Sequence, residues 1–95
     1  MNSNGFWYGL NPSQLIGLQN ASNGFIGFTC GTPEVVFLMP INVIAPLVLH
    51  LNTTLEEDNP NEIRHWHIVI EKHEDSFYFL LPKAESNLKI DEYLI

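Results

Sequence analysis

Ninety-five residues with four bases, eleven acids and a net charge of −7 describe one small domain. An apolar content of 45% and an aromatic content of 12% exclude a disordered segment. The acidic balance opposes non-specific binding to DNA, RNA or anionic lipid, and suits a basic protein partner or simple solubility.

The single cysteine, Cys30, excludes an intramolecular disulfide and fits a reducing compartment. The opening "MNSNGFWYGL" lacks the basic region and long apolar run of a signal peptide. No apolar stretch approaches the ~20 residues that span a bilayer. A cytoplasmic protein with no membrane partner is the expectation. Asn20 and Asn52 match the glycosylation pattern, but without a secretory signal both read as chance.

In chain order, "NPSQLIGLQNASNG" (11–24) predicts a short helix. Asn11 is its cap, Pro12 its first residue, and Leu15, Ile16 and Leu18 its apolar stripe. Asn23-Gly24 ends it, because glycine accepts the positive φ that closes a helix. "FIGFTC" (25–30) predicts a strand, "GTPE" a turn and "VVFLMP" (35–40) a returning strand, since β-branched and aromatic residues dominate both runs. "INVIAPLVLHLN" (41–52) predicts a helix over about 43–52, with Asn42 as cap and Pro46 in the first turn. "TTLEEDNPNE" (53–62) is acidic and turn-rich and reads as an exposed loop. "HWHIVIEK" (65–72) is a strand, "HEDS" a turn, and "FYFLLP" (77–82) the next strand. "KAESNLKIDEYLI" (83–95) is a polar connection leading to a short terminal element, packed through Leu88, Ile90, Tyr93 and Leu94.

The order is therefore helix–hairpin–helix–hairpin. The segments 25–40 and 67–82 are equal in length and both end Phe-Leu-x-Pro. Equal hairpins suggest an α+β fold, one domain over 1–95, with an antiparallel sheet of about four strands and two helices on one face. Each closing proline, Pro40 and Pro82, ends a strand, where a lost N–H does least harm.

The most chemically loaded stretch is "RHWHIVIEKHE" (64–74). Strand alternation puts Trp66, Ile68 and Ile70 on one face, which reads as core. His65, His67, Val69, Glu71 and His73 fall on the other, a polar stripe. Metal binding would need a third ligand beside His65 and His67, such as Glu71, Asp75 or His50, and no Cys pair or HExxH pattern supports it. Catalysis would need an activated nucleophile. Cys30 could approach His67 or His73, but it shares a face with Ile26 and Phe28 and reads as a small buried hydrophobe. No metal and no cofactor is expected, and a binding role is favoured over an enzymatic one. Trp7, Tyr8, Trp66 and Tyr78 could stack a base, and Arg64 with the histidines could meet phosphate. Against this, four bases in the whole chain give a weak electrostatic grip, and Trp66 and Tyr78 read better as core.

The runs "GFIGFTCGTPEVVFLMP", "HWHIVIEKHEDSFYFLLP" and "LKIDEYL" together resemble a segment of bacterial restriction-type, DNA-defence proteins. The similarity covers about 24–94 and lies mainly in strand-forming and turn residues. It implies a non-catalytic accessory or target-recognition domain, with Trp66 and His67 as the signature pair and Tyr93 as the closing aromatic. The net charge of −7 departs from direct DNA contact.

Two functions follow as expectations. The first is a DNA-recognition or accessory domain of a restriction-like system, using Arg64, His65, Trp66, His67 and His73. The second is an acidic interaction module or small inhibitor, of a kind that phages carry, which binds a basic protein through Glu56, Glu57 and Asp58. A homodimer stays open. Exposure of Val35, Phe37, Val69 and Phe79 would signal a second sheet face to be covered.

Overall fold

The computed structural model describes residues 5–21 and 24–95. The chain is α+β, with an antiparallel sheet of several strands and two helices. It begins with a strand, β1 (Gly5–Leu10), where no element was expected. The run Phe6-Trp7-Tyr8 has strong β-propensity, but a run this short shows its period only once it is paired. Helix α1 (Pro12–Asn20) follows. Asn11 caps it by accepting the Gln14 amide at 2.8 Å, while the Gln14 side chain accepts the Asn11 amide at 3.0 Å. The helix ends at Ala21 in extended backbone, ahead of the expected glycine stop. Asn23 lies outside the described residues.

The first hairpin is β2 (Phe25–Thr29) with β3 (Val36–Pro40). The expected helix over 43–52 is divided. A four-residue helix, α2 (Ile41–Ile44), runs into a 3-10 helix over Ala45–His50. The turn starts at Ile41, so Asn42 lies inside it rather than capping it. Pro46 then falls past the first helical turn, where its ring opposes the carbonyl four residues back. The chain tightens to 3-10 geometry instead of continuing as an α-helix.

Strand β4 (Thr53–Leu55) forms within the segment expected to be all loop, and residues 56–62 are exposed as anticipated. β5 (Ile63–His73) is the long central strand. β1 pairs with one of its edges over Leu10↔Trp66 to Gly5↔Glu71. β4 and β6 (Ser76–Phe79) share the other edge at opposite ends. The gap between them is filled by the His67 amide donating to Asn52 (2.9 Å) and the Leu80 amide donating to Val69 (2.9 Å). β7 (Leu88–Lys89) completes the sheet on β6, and a 3-10 turn over Asp91–Tyr93 follows.

The two hairpins do not share one sheet. β2 and β3 form a sheet of their own that packs face to face on the larger one. Phe28 of β2 meets Phe79 of β6 edge-on at 6.3 Å, and Phe37 of β3 meets Phe77 at 4.8 Å. Phe37 and Phe79 are thus wholly buried between the sheets, and Val35 and Val69 are half-buried. At the C-terminus Leu94 bridges to Phe37, but its side chain is exposed rather than packed, while Ile90 is fully buried. No helix among the described residues is long and apolar enough to cross a membrane.

Asp91 pins this terminal segment. Its carboxylate accepts the Phe77 amide at 2.7 Å, and that bond is the chief cause holding the carboxyl below the usual aspartate range. A depressed folded value stabilises the fold above the unfolded pKa and is lost as pH falls through the folded one. The wild type is therefore expected to exceed Asp91→Asn in stability at neutral pH. The difference should shrink below about pH 4, the ordinary aspartate value, as read by urea midpoints across pH.

Candidate functional site

Alternation along β5 sorts its side chains as the sequence suggests. Trp66, Ile68 and Ile70 are buried, and His65, His67, Val69 and Glu71 lie on the outer face. Trp66 therefore leaves the candidate surface as a core residue, turned away from its two histidine neighbours. His73 ends the strand about 20 Å from His67 at ~3.3 Å per residue. There it bonds Glu71 at 2.8 Å and faces the Tyr78 ring. Of the five residues expected to bind a ligand, only Arg64, His65 and His67 stay together.

The outer face gains Trp7 of β1, which is 56% exposed. Its indole stands edge-on to His65 and His67, at 5.9 and 5.5 Å, and the two imidazoles are 5.0 Å apart. Gly9 makes the space for this cluster. A methyl group there would sit 3.4 Å from the indole and 3.7 Å from His65. The indole N–H can only donate, so at 3.2 Å His67 accepts it through Nδ1. Nε2 of His67 then carries the proton and donates to Thr54 at 2.7 Å. Both ring nitrogens of His67 are thereby occupied. That arrangement is a rigid aromatic platform rather than an acid–base pair. Beside it Gly9, Asn11, Gln14, Arg64 and His65 line a small polar depression. Among the described residues no third His, Cys, Asp or Glu joins the two imidazoles in a group able to hold a metal ion.

Cys30 meets neither histidine. It is buried against Tyr8, with Sγ 3.6 Å from the hydroxyl. Tyr8 also donates to the Thr29 carbonyl, and either the phenol or the thiol can be the donor in their mutual contact. Burial pushes the thiol above its ordinary range, and the Tyr8 contact offsets this only partly. Cys30 is expected to react with a soluble thiol reagent at pH 8 roughly a hundredfold more slowly in the native protein than in urea. Rapid native labelling, followed by mass spectrometry, would contradict this placement.

Glu56, Glu57 and Asp58 are exposed on the loop between β4 and β5. Backbone bonds from Glu56 to Glu62 (2.9 Å) and from Glu62 to Asn59 (3.0 Å) give the loop a defined shape. Glu56, with Glu62 and Arg64, lines an open depression against Asn11, Pro12 and Ser13 at the start of α1. All eleven acids and all four bases occur at or beyond Glu34. The preceding residues build β1, α1 and β2, an uncharged surface exposing Trp7, Ile16 and Phe25. These three elements surround an open apolar groove of about 580 Å3 over Leu18, Phe28 and Ile68. Neither the pairing of β1 nor the groove is visible from local sequence pattern, but the charge-free run is written plainly in the chain.

The chain matches no protein-family model, no curated protein and no solved structure.

Proposed function

We propose that this chain is a non-catalytic binding domain that recognises another protein through the uncharged surface of β1, α1 and β2. The observation that carries this reading is that β1, α1 and β2 contain no charged residue and surround an apolar groove that no charged residue lines. Soluble surfaces mix both signs at about 25–35% of positions, and a contiguous apolar surface without charge is characteristic of contact sites. The acidic remainder keeps the domain soluble and repels other acidic macromolecules, so it sharpens the choice of partner. A single buried thiol suits a cytoplasmic setting.

Photo-crosslinking tests the proposal. A photoreactive residue at Ile16 should trap a specific partner in extracts of the source cell, and one at Glu57 should not. Trapping from Glu57 alone would return the role to the acidic loop and a basic partner.

A second reading is nucleic-acid recognition, within a restriction-like system, through the Trp7, His65, His67 and Arg64 platform. Its support is the exposed indole that stands edge-on to two imidazoles, with Arg64 lining the depression beside His65, a surface on which a base could stack. Anisotropy titrations at low salt with plain, methylated and single-stranded DNA would test it. Binding lost in a His65→Ala/His67→Ala double variant would favour it over the protein-contact reading.

A further inference from the structure

We infer that the groove between β1 and β2 is an acceptor site for an extended, uncharged peptide segment of a partner protein, which adds there as a strand. This rests on the protein-contact reading above and names its site and ligand chemistry.

The groove walls are strand edges rather than strand faces. A face presents alternate residues, but here the consecutive residues Tyr8 to Leu10 line one wall and Phe25 to Phe28 the other. Each strand is paired on one side only, β1 with β5 and β2 with β3. The direction of the free backbone groups follows from bonds already placed. The Cys30 amide donates to Val35 across the hairpin (2.9 Å), so residues 26, 28 and 30 point their N–H and C=O groups toward β3. Phe25, Gly27 and Thr29 point theirs outward. The Thr29 carbonyl confirms it, because it accepts the Tyr8 hydroxyl from across the groove. The same logic applies to β1. The backbone of His67 and Val69 is engaged on the β4 and β6 side, so Trp66, Ile68 and Ile70 bond β1 through Leu10, Tyr8 and Phe6. Trp7 and Gly9 are left facing out.

Tyr8 thus closes one end of the groove, and the other opens beside α1. Between lie the N–H and C=O groups of Phe25 and Gly27 on one edge and of Gly9 on the other. No hydrogen-bond partner meets them among the described residues. β2 carries none of the protections common on a free edge, having no lysine, no internal proline and no bulge. An incoming strand of about four residues, roughly 13 Å long, would pair with the Phe25 and Gly27 groups of β2 and lay alternate side chains over Leu18, Phe28 and Ile68. The walls select for an uncharged segment, since no charged residue lines the groove and apolar surface would strip water from a charge with nothing to pair it.

The test pans a random heptapeptide phage library against the immobilised full chain and measures the enriched peptides by anisotropy. The expected peptides are uncharged and extended. Their binding should slow hydrogen exchange at the Phe25 and Gly27 amides and weaken at least tenfold in Gly27→Pro. That substitution removes an outward N–H and leaves the β2–β3 ladder intact. Gly27→Lys gives an independent variant, because a Cβ there meets only Val36 and Leu38 at ordinary contact distances of 3.8 and 3.9 Å. Peptides that bind both variants normally but fail on Glu57→Gln would overturn the groove and keep a protein-binding role. A sedimentation mass that doubles with concentration in the wild type, but not in Gly27→Pro, would assign the groove to a second copy and overturn the peptide. No enrichment, together with no photo-crosslinked partner, would overturn the inference and the reading it rests on.

Discussion

Phe79→Ala is expected to cost about 3–5 kcal/mol, most of the margin of a domain this small. Phe79 is fully buried on β6, opposite Ile70 and edge-on to Phe28 of the other sheet. It is therefore a main tie between two sheets that share no ladder. Removing the ring leaves a void bounded on both sides by strands, which close in on it less readily than loops would. Urea denaturation should show a large drop in midpoint, with Phe25→Ala, at a 45% exposed position, changing stability by less than about 1 kcal/mol as the control. A loss below about 1.5 kcal/mol for Phe79→Ala would mean that the two sheets move together around the missing ring.

The second large effect comes from a glycine. Gly24 begins the chain into β2, and a Cβ built there lies 2.4 Å from the backbone oxygen of Leu18 and 3.1 Å from Ile41. The Gly24 carbonyl also receives the Ile41 amide at 2.9 Å. Neither neighbour can step aside, since one is helix backbone and the other anchors α2. Gly24→Ala should destabilise by about 1–3 kcal/mol. Gly17 supplies the contrast. It sits inside α1 with nothing within 4 Å of an added Cβ, so Gly17→Ala should stabilise by about 0.5–1 kcal/mol. Opposite signs for the same substitution, read from thermal or urea midpoints, check the two environments together. Equal effects would mean that α1 shifts to admit the Gly24 methyl.

The groove and the aromatic platform share one structural origin, the pairing of β1 with β5. That pairing brings Trp7 beside His65 and His67 on the outer face. It also places the free edge of β1 across from the free edge of β2. One small surface thus carries both candidate contact sites, and they can be separated experimentally because Gly27 lines only the groove and His65 only the platform's depression.

Several features needed nothing beyond the chain itself. The Asn11–Gln14 capping box, the alternation that buries Trp66, Ile68 and Ile70, the turn at 73–76 and the burial of Cys30 are local consequences of spacing and side-chain chemistry. So is the α+β class. What local pattern could not decide was which strand edges meet. Two hairpins of equal length looked like neighbours in one sheet, yet β1 takes the free edge of β5, and Leu94 and Ile95 occupy the outer edge of β3. The same holds for the helix after Pro40, whose start two residues early turned Pro46 from a tolerated first-turn residue into a block. Period and propensity act within a few residues and are readable there. Edge pairing depends on which distant strand buries the most apolar surface, and that is settled only when the whole chain packs.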